Sequence, residues 1–397
     1  MLVRTAGHMQ KGLKALEEYC NLNELVVNTS KTKVLRVSAS GKCRKKCPAF
    51  KFNGETIEVV KSYTYLGVLF TPSVVGLSTV NHAINRSKVA TSTALATLAK
   101  LKADSWSGKI KLYNSLVRST LLYQAHLWCI GSDYIEMLES AHIDFFKKLL
   151  TLPKCTPGYA IRIELNIEHS AVTLLQASIN WTIKILKLED HRLPKICLLQ
   201  LLKHQKSTIR PKMLCWSQHL YDTLKTIGEE QLLDSTDSDL WAGRKEIILS
   251  KYRRHLALAD RDRYARSQAC QVILPTPLFE ILPEMSIRIP QHLIKPIVQL
   301  RLASNYSCFI SIANETIYLS PVKTCVFCGS GCKETILHFL VQCTFYANLR
   351  SVYWENDNRS CSDYETLGKM LGVINKPNLR TLLENLQSCL ILRKSFI

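Results

Sequence analysis

Four metal-ligand side chains occur in a tight pattern near residue 330. Cys325 and Cys328 form a C-x2-C pair, and His338 and Cys343 follow after nine intervening residues in an H-x4-C arrangement. Two cysteines on a tight turn, followed by a helix that offers a histidine and a cysteine, are what one tetrahedral zinc ion needs. The pattern therefore predicts a structural zinc site formed by these four residues.

The residues around this pattern indicate how the ligands are positioned. Gly329 and Gly331 can supply the turn after the first pair, and residues 334–337 lead into the ligand helix. Because residues five positions apart do not share one face of an α-helix, we expect Cys343 at the end of that helix or just past it. Cys332 is an alternative to Cys328 as a ligand. A chance alignment of cysteines in a reduced protein is the alternative to any metal site.

Composition and charge narrow the class of protein. The chain has 397 residues, which favours several subdomains, and its hydrophobic content of 47% is ordinary for a folded protein. Lys and Arg number 52 against 32 Asp and Glu, which gives a net charge of +20. Such an excess favours a polyanionic partner, with nucleic acid first and an anionic membrane surface second. A basic surface that binds nothing is the third interpretation.

Cysteine usage and hydropathy indicate the compartment. The 15 cysteines show no framework spacing, and the N-terminus has no signal-peptide pattern. We therefore predict a reduced, intracellular protein of the cytoplasm or nucleus that is not secreted. Polar residues interrupt the most apolar stretch, 172–188, so the sequence predicts no membrane-spanning helix and no membrane partner.

The elements that must position the candidate residues follow from periodicity and turn signals. An amphipathic helix is predicted over 7–20, followed by a short strand that includes Val34. Asn53-Gly54 between two alternating runs predicts a hairpin. The stretch 62–70 resembles one further strand, in which Gly67 allows another backbone to approach closely.

Helical patterns dominate after residue 72. Helices are predicted over 80–102 and 108–128, and another begins with Asp133 and Glu136 as a capping pair. Further helices are predicted to begin at Thr156-Pro157 and at Ser170, and the tail from 363 returns to helix. The fold class is therefore α+β at the N-terminus, then mostly α-helical, with a small zinc-stabilised C-terminal module. The predicted divisions are an α+β unit over 1–71, a group of helices over 72–155, a helical connector over 156–274, a proline-rich linker over 275–290, and the zinc module with its helical tail over 291–397.

Two basic clusters are candidates for nucleic-acid contact. Arg44, Lys45 and Lys46 lie in a loop between strands. The second cluster lies on a polar helix with interleaved tyrosines and contains Arg253, Arg254, Arg261 and Arg263. Basic residues beside tyrosines suit phosphate contact combined with base stacking. The alternative for the second cluster is a solvated helix face on which Asp260 and Asp262 pair locally.

Several segments of the chain contain spaced motifs. They are Leu13-x2-Leu16-Glu17-x-Tyr19-Cys20, Leu25-x-Val27-Asn28, Lys31-Thr32-Lys33, Tyr63-x-Tyr65-Leu66-Gly67-Val68, Leu121-Leu122-Tyr123-x4-Trp128, Phe145-x2-Lys148-x-Leu150-x-Leu152-Pro153-x2-Thr156-Pro157 and Glu334-Thr335-x2-His338-x4-Cys343-x2-Tyr346. Together they resemble the part of non-LTR (LINE-type) retrotransposon reverse transcriptases that follows the catalytic motif. The resemblance is strongest over residues 10–160 and 320–350. By this resemblance, the unit over 1–71 is expected to be a palm-edge remnant with primer-grip-like strands, and the helices over 72–155 are expected to be thumb-like, with residues 80–150 holding template and primer.

The resemblance also implies roles for particular residues. Lys31 and Lys33 match the lysine-bearing motif beside the polymerase site, and Tyr65, Leu66 and Gly67 match the primer grip. The four zinc ligands match a module thought to help bind template RNA or target DNA. The implied partners are therefore RNA and DNA, with Zn²⁺ as a structural cofactor.

The catalytic part of this family has no counterpart in the sequence. Polymerisation needs aspartates that hold two metal ions, and the family supplies two of them from a Tyr-x-Asp-Asp turn. This sequence has no adjacent pair of aspartates and begins where that turn is expected to end. Mg²⁺ is therefore expected only in a full-length polymerase, and this chain alone is predicted to be inactive.

Three hypotheses follow from these observations. The first is a fragment of a non-LTR reverse transcriptase that retains template- and primer-binding parts. The second is a stand-alone, zinc-containing nucleic-acid-binding protein derived from a retroelement, without enzymatic activity. The third is an inert helical protein with a structural zinc ion and no nucleic-acid partner.

Overall fold

A computed structural model describes residues 1–38, 47–73, 76–101, 105–205, 216–267, 291–302, 308–312, 315–353, 363–372 and 376–396. Over these ranges the protein is mostly helical and has three small sheets. This confirms the coarse fold class that the sequence predicts. The basic loop residues Arg44, Lys45 and Lys46 lie outside the described residues, as does the predicted linker 275–290.

The N-terminal unit combines one helix with a three-stranded sheet. Helix α1 (Ala6–Leu22) begins after Thr5, whose hydroxyl accepts a hydrogen bond from the N–H of His8. The strands are β1 (Lys33–Leu35), β2 (Phe50–Phe52) and β3 (Glu55–Val60), in the order β1-β3-β2. Strand β1 is parallel to β3, and β2 is antiparallel to β3. Leu13 packs with Phe50, Phe52 and Ile57 in a small core of this unit.

The hairpin predicted at Asn53-Gly54 is confirmed. Phe52 pairs with Glu55 across a two-residue turn, and Asn53 and Gly54 have φ angles of 48° and 78°. Two consecutive positive φ angles define the turn type that matches the twist of paired strands, and Asn-Gly adopts it most readily.

The single strand predicted over 62–70 is wrong. The structure has a second hairpin there, made of β4 (Tyr63–Tyr65) and β5 (Val68–Phe70), and Leu66 and Gly67 form its turn. Both turn residues have positive φ, 47° for Leu66 and 81° for Gly67. Leucine seldom adopts this conformation. Because the turn also lacks the Asn-Gly or Asp-Gly pair that marks such hairpins, the sequence does not reveal it.

The next helices pack into a bundle. They are α2 (Leu77–Lys100), α3 (Trp106–Leu112), a π-helical segment (Tyr113–Arg118), α4 (Ser119–Leu121), α5 (Ala125–Trp128) and α6 (Ser132–Leu149). The one helix predicted over 108–128 is therefore divided. The capping pair predicted for α6 is also wrong: the helix begins after Gly131, and the Glu136 carboxylate lies 3.7 Å from Nε2 of His169.

The connector contains five further helices of the described chain. They are α7 (Gly158–Leu165), α8 (Ser170–Leu186), α9 (Leu193–Gln205), α10 (Trp216–Lys225) and α11 (Ser238–Ala265). Helix α7 begins one residue later than predicted, because Pro157 is its capping residue. Trp241 is fully buried and packs with leucines and isoleucines of α8 to α11 in one hydrophobic core.

The C-terminal part joins a hairpin to several helices. Its elements are α12 (Gln291–Arg301), β6 (Cys308–Ile312), β7 (Glu315–Leu319), a π-helical segment (His338–Gln342), a 3-10 turn (Thr344–Tyr346), α13 (Ala347–Tyr353), α14 (Asp363–Gly372) and α15 (Lys376–Lys394). One hydrophobic core draws on both residues 94–165 and residues 297–390. The buried Arg301 side chain ties the two parts together by pairing with Glu164 of α7 and donating to the carbonyl of Leu371. None of the described helices is long and apolar enough to cross a membrane.

Candidate metal centre and nucleic-acid interface

The first two predicted metal ligands lie on a loop that a short antiparallel bridge closes. Thr324 pairs with Lys333, and the N–H of Cys325 donates to the carbonyl of Cys332 over 2.8 Å. The turn between them uses Gly329 and Gly331 at φ angles of 66° and 70°, where glycine is favoured. The turn predicted from these two glycines is therefore confirmed.

The other two ligands lie on one wide helical turn and immediately after it. His338 begins the π-helical segment, and Cys343 follows the segment with extended backbone angles. The N–H of Cys343 donates to the carbonyl of His338 over 2.7 Å. This hydrogen bond joins residues five positions apart, so the turn is one residue wider than an α-helical turn. The wider turn brings Cys343 back to the side of the segment on which His338 lies. The prediction that Cys343 lies just past the ligand helix is confirmed.

The four ligand atoms converge on one point. All lie within 4.8 Å of one another. The Sγ atoms of Cys325 and Cys343 are 3.9 Å apart, and Sγ of Cys328 lies 3.4 Å from Nε2 of His338. Zinc bonds of about 2.3 Å to sulfur and about 2.0 Å to nitrogen place tetrahedral ligands about 3.8 Å (S to S) and about 3.5 Å (S to N) apart. The cluster could therefore hold a metal ion without a large rearrangement.

Cys328, and not Cys332, belongs to this cluster. Cys332 is exposed and lies outside the group of converging ligand atoms, although its carbonyl helps to close the loop. Cys325, His338 and Cys343 are buried, and Cys328 is half-buried. One side of the cluster is therefore open to solvent, while the protein covers the other ligands.

The cysteines differ in how readily they ionise. Hydrogen bonding to Ser330 lowers the pKa of Cys328 to about 6, whereas burial raises the pKa of Cys343 to about 12. Thiolates are the metal-binding form of cysteine, so a cation bound here would have to displace the proton of Cys343, whose pKa burial raises.

Helix α15 supports the loop that carries the first two ligands. The Arg393 guanidinium lies 4.4 Å from the ring centre of Phe327 and pairs with Glu334. Phe327 also packs near Phe345 and Tyr346. On the other side of the cluster, Arg350 donates to the carbonyl of Cys343 over 2.7 Å. These long-range contacts position the ligands, and no local sequence signal identifies them.

The second ring nitrogen of His338 is also informative. Nε2 faces Cys328, so Nδ1 carries the proton of a neutral ring when Nε2 binds a metal. Nδ1 is buried and has no hydrogen-bond partner among the residues that the structure describes. Metal-binding histidines usually donate this proton to an acceptor. His338 is instead held through its backbone, whose N–H donates to the Thr335 hydroxyl.

The residues that resemble a primer grip form the exposed turn of the second hairpin. Tyr65 and Leu66 are 59% and 73% exposed. The carbonyl of Gly67 accepts a hydrogen bond of 3.2 Å from Arg86 of α2, and a Cβ on Gly67 would lie 3.1 Å from the Tyr123 ring. The close approach predicted at Gly67 is therefore to a tyrosine side chain and not to another backbone.

The two predicted polymerase-motif lysines have different surroundings. Lys33 on β1 pairs with Glu58 on β3 over 2.7 Å, so its charge is already compensated. Lys31 is exposed, and its carbonyl accepts a hydrogen bond from the Tyr63 hydroxyl over 3.2 Å. This bond places Lys31 next to the hairpin that carries Tyr65.

The four arginines of the second basic cluster do not share one face of α11. Arg253 and Arg261 border a cavity of about 460 Å³ beside the loop between α7 and α8. Arg263 lies on the same face of α11 as Tyr252. Its charge helps to lower the pKa of Glu136, although the hydrogen bond with His169 lowers that pKa more. Arg254 is exposed and has no ion-pair partner among the described residues.

The local pairing suggested for the aspartates of α11 holds for only one of them. Asp262 pairs with Arg266 one turn later, over 2.6 Å. Asp260 is buried and pairs with Arg162 of α7, which also pairs with Glu139 of α6. Burial alone would raise the pKa of Glu139, but the neighbouring His142 and His169, the charge of Arg162 and a hydrogen bond from Ser170 lower it to about 2. No local sequence signal identifies this buried group of charges.

Fold and site together define a mostly helical protein with small sheets and a Cys3His cluster that could hold a metal ion. A scan against protein-family models and searches of curated proteins and of solved structures find no match to the chain.

Proposed function

We propose that this chain is a zinc-containing, nucleic-acid-binding part of a non-LTR retrotransposon reverse transcriptase, from the region that follows the catalytic aspartates. The observation that carries the proposal is the convergence of Cys325, Cys328, His338 and Cys343 in a strongly basic chain. The sequence segments that resemble this family add the retroelement origin. Nothing in the proposal requires the chain to catalyse a reaction.

Zinc is the proposed metal because of the donor set and its spacing. Three sulfurs and one imidazole nitrogen form a soft set that suits zinc, and a closed set of four protein ligands is typical of structural sites. When bound, the ion supplies positive charge that stabilises the thiolates and crosslinks the loop at 325–332 to residues 338–343. The fold of this small module is then coupled to metal binding.

Nucleic acid is the proposed partner because of charge and exposed aromatic side chains. The net charge of +20 favours a polyanion. Around the turn of the second hairpin, exposed Tyr65 and partly exposed Tyr123 lie with Arg86, a combination suited to a nucleic-acid backbone and its bases. Exposed Arg254 adds a cation on α11.

Binding, and not nucleotidyl transfer, is the proposed activity of the chain. Two-metal phosphoryl transfer needs carboxylates that hold both ions, and the sequence has no adjacent pair of aspartates. The second candidate is a stand-alone nucleic-acid-binding protein of retroelement origin. The same binding surface and metal cluster support it, and the sequence that precedes the Met1 codon in the transcript distinguishes the two candidates.

Metal content tests the first part of the proposal. We expect about one zinc per chain by elemental analysis, and its loss in Cys325→Ser and His338→Ala. Cys332→Ser is the matched control, because Cys332 lies on the same loop but outside the cluster. Unchanged zinc in the first two variants, or loss in the control, would contradict the ligand set.

Salt-dependent binding tests the second part. The purified chain should bind a fluorescent 30-nucleotide RNA or DNA, and the logarithm of its affinity should fall linearly with the logarithm of salt concentration. Arg254→Gln should reduce that slope by about one, as expected for a phosphate contact. Arg266→Gln makes the same charge change on the same helix, but Arg266 is paired with Asp262, so its effect should be smaller. Affinity that is independent of salt would refute the proposed interface.

A further inference from the structure

Glu168 lies in the short loop between α7 and α8, and two arginines share its carboxylate. Oε1 accepts a hydrogen bond of 2.6 Å from Nε of Arg253 on α11. Oε2 lies 3.6 Å from Nη2 of Arg118, which ends the π-helical segment Tyr113–Arg118. Each oxygen of one carboxylate therefore faces a different cation, and the three side chains come from three separate parts of the chain.

The loop that carries Glu168 is held at both ends. Asn166 ends α7 in the left-handed conformation, at a φ angle of 49°, and the N–H of Ile167 donates to a carbonyl of α7 over 3.0 Å. After the loop, the N–H of Ser170 donates to the buried carboxylate of Glu139 over 2.8 Å. The fold thus fixes the backbone position from which the Glu168 carboxylate reaches both arginines.

A ligand in solution can reach these three side chains. The side chain of Arg253 is 43% exposed, that of Glu168 is 34% exposed and that of Arg118 is 27% exposed. Ion pairs at such exposure contribute little free energy, because water solvates the separated charges well. Another anion can therefore compete with Glu168 for the two arginines without any movement of the protein core.

Glu168 also borders two cavities that contain further cations. It lines the cavity beside Arg253 and a second cavity, of about 470 Å³, between α3, the π-helical segment and α6. Arg261 lines the first cavity and Lys111 lines the second, and both residues are exposed. The other acidic residue in the two linings, Asp260, is buried in an ion pair. Among the described residues, Glu168 is thus the one accessible acid that lines these cavities.

Two arginines around one carboxylate form a site that also suits a phosphodiester. Both anions spread a single negative charge over two terminal oxygens, and arginine donates to either of them in a similar geometry. The Glu168 carboxylate therefore lies where a ligand phosphate would meet Arg118 and Arg253. A strand with such a phosphate at its centre could extend toward Arg261 on one side and Lys111 on the other.

We propose that Arg118 and Arg253 bind one backbone phosphate of a nucleic-acid strand, and that Glu168 occupies this phosphate site when the strand is absent. The strand displaces the carboxylate and crosses the loop between α7 and α8. The inference rests on the nucleic-acid binding proposed above, and it adds the place of one phosphate contact and the group that competes for it. Because the ion pairs of Glu168 must break, this residue weakens binding of the strand.

Removing the negative charge of Glu168 tests the proposal. Glu168→Gln keeps the shape of the side chain and releases both arginines, so it should bind the fluorescent RNA about fivefold more tightly than the unaltered chain at about 0.1 M salt. Glu246→Gln is the matched control, because Glu246 is exposed on α11, lines neither cavity and lies 3.8 Å from Lys245. It changes the net charge equally, but its affinity should stay within about twofold of the unaltered chain. Circular dichroism checks that both variants are folded.

A double-mutant cycle separates a direct contact from a general gain of positive charge. Arg253→Gln should weaken RNA binding by less than about twofold in the unaltered chain, where Glu168 competes for that arginine, and by about fivefold in the Glu168→Gln variant. If Glu168 acts only through its long-range charge, Arg253→Gln will have the same effect in both, because the effects of distant residues add.

Inorganic pyrophosphate distinguishes a strand from a small phosphate compound. We expect pyrophosphate to displace RNA from the Glu168→Gln variant no better than sodium chloride of equal ionic strength, because the strand also contacts cations beyond the two arginines. Preferential displacement by pyrophosphate would show that the site takes a small phosphate compound and would overturn its assignment to a strand.

The outcomes separate this inference from the proposed function. If Glu168→Gln and Glu246→Gln bind RNA alike and the double-mutant cycle is additive, the phosphate site is overturned while nucleic-acid binding stands. If neither the unaltered chain nor Glu168→Gln binds RNA or DNA at low salt, both proposals fail.

Discussion

Arg162 and Asp260 form a two-pronged ion pair inside the protein, although they are 98 positions apart in the chain. Nε of Arg162 lies 2.7 Å from one carboxylate oxygen, and Nη2 lies 2.6 Å from the other. The third nitrogen, Nη1, donates to Glu139 over 2.8 Å. One guanidinium thus joins α6, α7 and α11, and both Arg162 and Asp260 line the cavity beside Arg253.

Removing one partner of this group should destabilise the protein strongly. We expect Asp260→Ala to lower the free energy of unfolding by about 3 kcal/mol, because it leaves part of a buried guanidinium unpaired. Urea denaturation followed by circular dichroism measures this change. Asp262→Ala is the matched control, since Asp262 pairs locally at the exposed end of the same helix, and its effect should stay within about 0.5 kcal/mol. Equal losses in the two variants would contradict the assigned role.

The buried His142 should make stability depend on pH. Burial lowers its pKa in the folded protein from 6.5 to about 4, so the unfolded chain binds more protons between these values. Stability is therefore full above pH 6.5 and falls as the pH decreases toward 4, by up to about 3 kcal/mol.

A substitution at His142 isolates that dependence. We expect His142→Gln to be less stable at pH 7 and to lose most of the slope between pH 6.5 and 4, as measured by urea denaturation at each pH. His191→Gln removes an exposed histidine and should leave the slope unchanged. The same slope in His142→Gln as in the unaltered chain would show that other groups cause the dependence.

Two glycines in equivalent turns allow the cost of a strained backbone to be measured apart from the cost of a steric contact. Gly54 and Gly67 have φ angles of 78° and 81°, so alanine is strained at both. A Cβ at Gly54 meets open space, whereas one at Gly67 lies 3.1 Å from the Tyr123 ring. Thermal unfolding should show a loss of about 1 kcal/mol for Gly54→Ala and about 2 kcal/mol or more for Gly67→Ala. The reverse order would show that the hairpin does not rest on Tyr123.

Arg393 should influence how tightly the metal is held without contacting it. Arg393→Ala removes the stacking on Phe327 and the pair with Glu334, which support the loop of Cys325 and Cys328. We expect zinc release to a chelator to become about tenfold faster, the lower end of the effect seen for groups that orient metal ligands. Lys323→Ala, which removes a cation near the Tyr318 ring, is the control and should leave the rate unchanged.

Features that depend on neighbouring residues were predictable from the sequence. The ligands Cys325, Cys328, His338 and Cys343 lie within 19 consecutive positions, and their spacing alone limits how they can be arranged around one ion. The Asn53-Gly54 hairpin is similar, because the turn is determined by the conformational preferences of two adjacent residues. Helix positions also followed from local periodicity.

Features that depend on distant residues were decided only by the tertiary structure. Local pairing was one of two interpretations for Asp260, which instead meets Arg162. Glu136 was expected to cap a helix and instead lies beside His169. The turn at Leu66-Gly67 lacks a local signal and packs against α2 and Tyr123. A charged side chain pairs with whichever partner the packing of helices brings within reach, and burial makes that pairing compulsory. Local preferences carry no information about that choice, which is why spacing revealed the metal cluster and only the fold revealed the pairing of Arg162 with Asp260.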